Sequence, residues 1–317
     1  MAAVTGPGYG YPPPEGSGPR RRWLPVAAGV WGVVLIGAVF WSVRNDPPTV
    51  PEQQDVGRAV AVLRGASGAV VAAAQDERWV LGVGELRVES CSITPVWDGQ
   101  EASREVTVYV PEGDARVALD AVADGLPATY RAGVVAARGG TRLSFYADAG
   151  EHVGIEAEAH SADQVLTLRV FTGCRPGVDD LDRADPAAGA APAVLDTVVA
   201  AIGAGGPTAG GNPSPSGSPT PGRAPSPSGS PTPGRDPGPG ETVARAVVCP
   251  GGGTVSTFVR DAGPALAESG PRGMPEGTVP VWADGDGWAY RAGSESVVVT
   301  ADRDRFRVSV TTACRGG

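Results

Sequence analysis

Residues 23–43 read WLPVAAGVWGVVLIGAVFWSV and contain no charged side chain. A helix of about 20 apolar residues crosses the hydrocarbon core of a bilayer, so this segment predicts a transmembrane helix. Arg20, Arg21 and Arg22 directly precede it, and arginines are enriched on the cytoplasmic side of a span. The sequence therefore predicts a single-pass protein of the cell membrane, with a cytoplasmic N-terminus and extracytoplasmic C-terminal domains.

Two other interpretations fit residues 23–43 less well. An apolar run of this length is longer than a buried helix in a soluble core requires. A cleaved signal peptide has a shorter apolar region followed by small residues at a cleavage site, and residues 44–54 contain no such site. We therefore expect a signal-anchor that stays in the mature protein.

Three segments lack the apolar side chains that a core needs. Residues 1–22 are rich in Gly, Pro and Tyr and predict a disordered cytoplasmic tail, and residues 44–54 predict a juxtamembrane spacer. Residues 205–240 are mostly Gly, Pro, Ser and Thr, and they contain the sequence PSPSGSPTPGR twice. This composition predicts a disordered linker, whose Ser and Thr side chains are candidate acceptors for O-linked sugars.

Charge and cysteine content narrow the class of protein. The net charge is −9 and every basic residue is an arginine, which argues against a nucleic-acid partner because phosphate binding needs a basic surface. The four cysteines form no CxxC metal or redox motif. Cysteines outside the cytoplasm pair as disulfides. We expect the pairs Cys91–Cys174 and Cys249–Cys314, one on each side of the linker.

Hydrophobic periodicity predicts an α+β fold. Apolar residues recur at helical spacing in residues 55–75, 114–126, 191–202 and 254–268. Strand-like patterns occur at residues 79–91, 105–110, 141–146, 152–159, 164–171, 242–249, 297–300 and 306–312. We expect a first extracytoplasmic α+β module, residues 55–204 with a trailing helix, and a smaller second module, residues 241–317. Each is expected to contain a small, mostly antiparallel sheet.

The two predicted modules contain the same motifs in the same order. Cys91 is followed by Tyr130-Arg131-Ala132-Gly133 and then by Thr172-Gly173-Cys174-Arg175, and Cys249 is followed by Tyr290-Arg291-Ala292-Gly293 and then by Thr312-Ala313-Cys314-Arg315. This order predicts two tandem, diverged copies of one module, each with a disulfide between its first and last strands. A core of this size supplies little surplus stability, so we expect loss of the second bond to unfold the second module alone.

The shared Tyr-Arg-Ala-Gly motif has two interpretations. It marks the entry of a strand in both modules, or it contributes to a ligand-binding site, because tyrosine and arginine are favoured at binding sites. The candidate ligand-binding residues are Tyr130, Arg131, Tyr290 and Arg291.

Polar residues on one predicted strand are the other candidates for chemistry. Alternation along this strand places His152, Glu156, Glu158 and His160 on one face. The two histidines would be too far apart to share a metal, and a solvated face opposite a buried one is the simpler interpretation. Glu156 and Glu158 would be about 7 Å apart, within the range of the carboxylate pair of a glycosidase.

The known short motifs of catalysis are absent from the sequence: it has no nucleophile elbow, zinc-protease helix, P-loop or dinucleotide fingerprint. The acidic run at residues 179–185 also lacks the spacing of a calcium-binding loop. We therefore expect no catalytic residues, no metal and no cofactor. The predicted function is a non-catalytic module that binds or assembles a cell-envelope component, either a protein or a wall polymer. The alternative is an envelope hydrolase that uses Glu156 and Glu158.

Overall fold

The computed structural model describes residues 23–45, 54–203, 240–264, 271–302 and 305–314. The chain divides into two compact units, Met1–Thr49 and Val50–Gly317. The first described helix, α1 (Trp23–Asn45), belongs to the first unit. The predicted tail at residues 1–22, most of the spacer and nearly all of the linker at 205–240 lie outside the described residues.

The helix α1 is apolar and 23 residues long. A helix rises about 1.5 Å per residue, so this length is comparable to the thickness of a bilayer core. The segment Val26–Trp41 is apolar throughout, and its large side chains, including Val30, Trp31 and Ile36, are exposed. An apolar helix with exposed side chains is suited to a lipid environment.

A second helix has the composition of a membrane span. The helix α2 (Val56–Ala73) is 18 residues long and has the mean hydropathy of a membrane span. However, 56% of it is buried inside the protein. Its apolar residues Val56, Leu63 and Val70 belong to a cluster with the strands of the first sheet. We therefore interpret α2 as the core helix of the second unit.

Two further helices and two antiparallel sheets complete the second unit, so its architecture is α+β. The helices are α3 (Ala115–Gly125) and α4 (Ala193–Gly203). The first sheet contains β1 (Val80–Val83), β2 (Arg87–Thr94), β3 (Trp97–Tyr109), β4 (Gly133–Ala137), β5 (Arg142–Asp148), β6 (Gly154–His160) and β7 (Val165–Phe171). The second sheet contains β8 (Thr242–Val248), β9 (Thr254–Pro264), β10 (Trp282–Asp284), β11 (Gly287–Ala292), β12 (Glu295–Asp302) and β13 (Arg305–Thr311).

The two sheets share one strand topology. The order in the first sheet is β2-β3-β7-β6-β5-β4, and the short strand β1 pairs with the part of β3 that β2 leaves free. The order in the second sheet is β8-β9-β13-β12-β11-β10. Each strand from β2 to β7 therefore has a counterpart from β8 to β13, and β1 has no counterpart among the described residues. This equivalence is consistent with the two tandem modules predicted from the repeated motifs.

Two threonines make the same contacts at equivalent places in the two sheets. The backbone N–H of Thr172 donates to the carbonyl of Ala102 at 2.9 Å, and the N–H of Ala102 donates to the Thr172 hydroxyl at 3.0 Å. Thr312 and Ser256 form the same pair of bonds, at 2.9 and 3.0 Å. Each threonine lies two residues before a cysteine, so the repeated closing motif has one structural role in both copies.

Each sheet is closed by a disulfide. Cys91 bonds Cys174 with an S–S distance of 2.04 Å, and Cys249 bonds Cys314 at 2.08 Å. These are the pairs expected from the sequence. Cys91 lies in β2 and Cys249 directly follows β8, while Cys174 and Cys314 lie just after β7 and β13, so the two bonds have equivalent places in the two sheets. Disulfides of this kind are typical of proteins in an oxidising, extracytoplasmic compartment.

The predicted helix at residues 254–268 is wrong. Thr254–Pro264 forms β9, a strand that pairs with both β8 and β13. Residues 255–259 are all buried, so the strand lacks the alternation that would have identified it. Val255, Thr257 and Val259 are β-branched, which favours a strand. Residues 265–268 lie outside the described residues.

The Tyr-Arg-Ala-Gly motif does not occupy equivalent positions in the two copies. Tyr130 ends a short 3₁₀ turn, and Gly133 begins β4. Tyr290 lies within β11, whose counterpart in the first sheet is β5. The expectation that the motif marks the entry of a strand therefore holds in the first copy and is wrong in the second.

The helix α4, expected to trail the first module, packs on the second sheet. Leu195, Val198 and Ile202 lie in one buried cluster with Trp288 and Phe258. α4 precedes the second sheet as α2 precedes the first, which extends the equivalence of the two copies. The elements on either side of the linker, α4 and β8, therefore belong to one module.

The two copies pack against each other and share a core. Val247, Cys249 and Val255 of the second copy belong to the same cluster of buried apolar residues as α2 and the first sheet. The helix α2 approaches β8 so closely that a Cβ atom on Gly68 would lie 1.9 Å from the carbonyl oxygen of Val248. The second unit is therefore one continuous structure, although the linker divides its sequence.

Candidate functional site between the two sheets

The edge strand β1 crosses one face of the second sheet. The backbone N–H of Leu81 donates to the Ser296 hydroxyl at 3.0 Å, and that of Val83 donates to the Thr257 hydroxyl at 3.2 Å. Side-chain oxygens of the second sheet thus satisfy backbone groups that β3 leaves unpaired. The opposite face of this sheet is covered by α4. Where β1 ends, the two sheets separate and a cleft opens between them.

The cleft has a volume of about 220 Å³. Its charged lining residues are Arg87, Arg104, Arg245, Arg307, Glu85 and Glu105. Its hydroxyl-bearing residues are Ser103, Thr107, Tyr109, Thr257, Thr300 and Ser309. Drug-sized ligands usually occupy about 300–1,000 Å³, so this cleft suits a smaller ligand or one terminal group of a larger one.

Arg104 is a buried structural cation of the cleft. Its Nη1 donates to the carbonyl of Ala246 at 2.9 Å, and its Nη2 donates to the Asp185 carboxylate. Asp185 also accepts the backbone N–H of Ala246 at 3.0 Å. The pair therefore connects β3 of the first sheet to β8 of the second. Asp185 belongs to the acidic run at residues 179–185, and its partners are the side chain of Arg104 and the backbone of Ala246.

Arg87 and Arg307 pair with carboxylates at the rim of the cleft. Arg87 donates from Nε to Glu85 at 3.3 Å, and its Nη1 lies 3.8 Å from Glu105. Arg307 lies 2.9 Å from a carboxylate oxygen of Asp302. Such partly exposed pairs contribute little to stability, but they occupy the two guanidinium groups.

Among the cations of the cleft, Arg245 has the fewest hydrogen-bond partners. Its side chain is 26% exposed, and its Nη2 lies 3.9 Å from Glu85, too far for a hydrogen bond. Its buried Nε has no hydrogen-bond partner among the described residues. Burial lowers the pKa of the guanidinium, and the positive charges of Arg307 and Arg87 act in the same direction. An arginine side chain can only donate hydrogen bonds. Arg245 therefore needs an acceptor, and no described residue supplies one.

The Tyr130 and Arg131 pair lies away from this cleft. Tyr130 is half-buried against the main core, and burial raises the pKa of its phenol. Arg131 has a left-handed backbone with φ 48°. Its exposed side chain reaches Asp148 at 3.3 Å. Neither residue lines the cleft.

Tyr290 and Arg291 are held by contacts within the second sheet. The Tyr290 hydroxyl donates to the carbonyl of Gly273 at 2.9 Å, and the ring is fully buried. Arg291 donates to the Ser296 hydroxyl at 3.0 Å and to the carbonyl of Ser294 at 2.9 Å. The structure therefore does not bring the four candidate ligand-binding residues together.

The carboxylates of β6 lie on an exposed face of the first sheet. Glu156 lies 3.2 Å from Arg169, and Glu158 pairs with Arg142. The alternation predicted for this strand is correct, because Ile155, Ala157 and Ala159 are buried while Glu156, Glu158 and His160 are exposed. Neither glutamate lines the cleft.

The two histidines do not share one strand face. His152 lies in the turn before β6, with φ 58°, whereas His160 ends β6 and lies 3.6 Å from Asp163. In the part of the chain that the structure describes, no three His, Cys, Asp or Glu side chains are grouped closely enough to hold a metal ion.

The cleft is not recognisable from the sequence, because its residues come from strands on both sides of the linker. One local feature of the sequence does point to the cleft. Arg245 interrupts the strand sequence TVARAVV between alanines, and an arginine among buried apolar residues is unusual unless it has a partner. Its neighbours across the cleft, such as Glu105, are far away in sequence.

Comparisons with known proteins give a distant structural similarity. The solved structure of a DUF4853 family protein from Actinomyces odontolyticus is similar to this chain at 18% sequence identity. The similarity covers 46% of this chain and 81% of that one, with a TM-score of 0.31. No protein-family model and no curated protein matches the chain.

Proposed function

We propose that this protein is a membrane-anchored, extracytoplasmic binding module without catalytic activity, and that the cleft between its two sheets holds the ligand. The observation that carries this proposal is Arg245, a largely buried cation without a hydrogen-bond acceptor among the described residues. Leaving buried donors unpaired costs stability. A ligand that supplies a hydrogen-bond acceptor to Arg245 would remove this cost.

The membrane anchor is α1, and the proposed orientation places the N-terminus in the cytoplasm. Support for this orientation comes from Arg20, Arg21 and Arg22, which directly precede the apolar segment. The two disulfides support an oxidising compartment for the rest of the chain. The ligand is therefore expected in the cell envelope, as a protein or a wall polymer.

A binding role is favoured over the alternative envelope hydrolase. A retaining or inverting glycosidase needs one carboxylic acid and one carboxylate that both reach the substrate. Glu156 and Glu158 each have an arginine partner, and both project from an exposed sheet face. Neither glutamate lines the cleft, so the pair lies outside the site proposed for the ligand.

Site-specific crosslinking in cells tests this proposal. A photoreactive amino acid replaces Thr300, which lines the cleft, and in a second variant it replaces Tyr146, which is 57% exposed on the first sheet. We expect irradiation to attach an envelope component to the Thr300 variant, and mass spectrometry of the purified chain measures the added mass. The Tyr146 variant is the control for contacts that any exposed surface makes. Equal labelling of the two variants, or none at Thr300, would contradict the proposal.

A further inference from the structure

We propose that Arg245 binds an oxyanion, either a carboxylate or a phosphate, carried by a hydroxyl-bearing ligand of about one sugar ring. This inference rests on the proposed function and specifies the chemistry of the ligand. The class of ligand is an acidic sugar, free or at the end of a polymer.

The partners of the four cleft arginines single out Arg245. Arg104 donates to Asp185 and to a backbone carbonyl. Arg87 donates to Glu85, and Arg307 pairs with Asp302. Arg245 donates no hydrogen bond to any described residue and lies 3.9 Å from its nearest carboxylate partner, Glu85.

An oxyanion fits these unused donors. The guanidinium presents donors in a planar fork that matches the two oxygens of a carboxylate or phosphate. Arg307 and Arg87 repel the charge of Arg245, whereas Glu85 and Asp185 attract it, and a bound negative charge would further offset that repulsion. A neutral acceptor would satisfy the hydrogen bond and leave that repulsion unchanged.

The remaining lining restricts the rest of the ligand. Glu85 and Glu105 would repel a ligand with several negative charges, whereas their oxygens accept hydrogen bonds from hydroxyl groups. Thr300 and Ser309 supply hydroxyls that can both donate and accept. A ligand with one anionic group and several hydroxyls is therefore complementary to the cleft. The volume of about 220 Å³ suits a small ligand or one terminal group of a larger one.

Calorimetric titration of the full chain in detergent micelles tests this chemistry. The probes are glucuronate, glucose 6-phosphate and glucose, which share a ring and differ in their charged group. We expect at least one acidic sugar to bind about tenfold more tightly than glucose, the effect of one charge-assisted hydrogen-bonded pair. Comparison of the two acids distinguishes a carboxylate site from a phosphate site.

The variant Arg245→Met keeps the length and apolar stem of the side chain and removes its donors. We expect it to reduce the affinity for the acidic sugar to that for glucose. Arg116→Met is the matched control, because Arg116 is an exposed arginine of α3 that pairs with Asp120. Its affinity should equal that of the wild type. Without ligand, Arg245→Met should melt at the same temperature as the wild type or higher, because a poorly compensated cation has been removed.

Two results would overturn the inference. Equal affinity for glucose and the acids, or no binding of any probe, would show that the cleft does not recognise an oxyanion on a sugar. A lower melting temperature in Arg245→Met with unchanged acid affinity would show that Arg245 is a structural partner of Glu85. In either case the crosslinking at Thr300 decides separately whether the cleft binds an envelope component.

Discussion

Tyr109 and Tyr290 are buried tyrosines, and burial raises the pKa of each phenol to about 12. The pKa of tyrosine in an unfolded chain is about 10. Between pH 10 and 12 the unfolded chain therefore loses protons that the folded protein retains, and the free energy of unfolding falls as the pH rises. The stabilisation is complete below about pH 10. By pH 12 each tyrosine costs roughly 2–3 kcal/mol.

The substitution Tyr109→Phe should remove about half of this alkaline loss of stability. Phenylalanine keeps the ring contact with Trp282, whose centroid lies 5.1 Å from that of Tyr109. Denaturant unfolding at pH 8 and pH 11 measures the difference. Tyr146→Phe, at an exposed position, is the control and should leave the difference unchanged. A Tyr109→Phe protein with the pH dependence of the wild type would show that another group is responsible.

At the scale of single elements, sequence patterns succeeded where one face of an element is solvated. The strand β6 alternates cleanly, and α3 lies within the helical pattern of residues 114–126. The strand β9 was missed because it is buried between two neighbours and shows no period of two. The sequence also could not assign α4 to a sheet, because its partners Phe258 and Trp288 follow the linker.

The close contact between α2 and β8 predicts opposite effects of alanine at two glycines of α2. Gly68→Ala would place a methyl group 1.9 Å from the carbonyl oxygen of Val248. We expect this clash to destabilise the protein by about 1–3 kcal/mol, the usual cost of overpacking. Gly65→Ala is the control on the same helix, where an added Cβ meets no atom within 4 Å. It should stabilise the protein by about 0.5–1 kcal/mol. Urea unfolding followed by tryptophan fluorescence compares the two, and similar changes of the same sign would contradict the close packing.

At the scale of the whole molecule, the shared core changes what the disulfides are expected to do. Cys249 is buried in the same cluster as α2, and Cys314 packs against that cluster. The second module has a core of its own beneath α4, but its disulfide lies in the core that it shares with the first module, so we do not expect it to unfold alone. The equivalent strand orders are consistent with the two predicted modules, but the repeated motifs carry no information about the surface on which the modules meet.

We expect the double variant Cys249→Ser/Cys314→Ser to unfold in one cooperative transition that involves both sheets. The bond closes a loop with a sequence separation of 65 residues, for which the chain-entropy model gives a loss of about 4 kcal/mol. Calorimetry measures the number of transitions, and hydrogen exchange on β5 and β12 shows whether both sheets open together. Two separate transitions, with protection of β5 unchanged, would show that the modules unfold independently.

The helix α4 has a consequence for the fate of the chain after proteolysis. It precedes the linker, yet it packs on strands that follow the linker. A protease that cuts between residues 204 and 239 would leave the N-terminal fragment still carrying α4, the helix that covers the second sheet. Neither disulfide joins the two fragments, but α4, β1 and the shared core would hold them as a noncovalent heterodimer. A nick in the linker would therefore not separate the second sheet from the first.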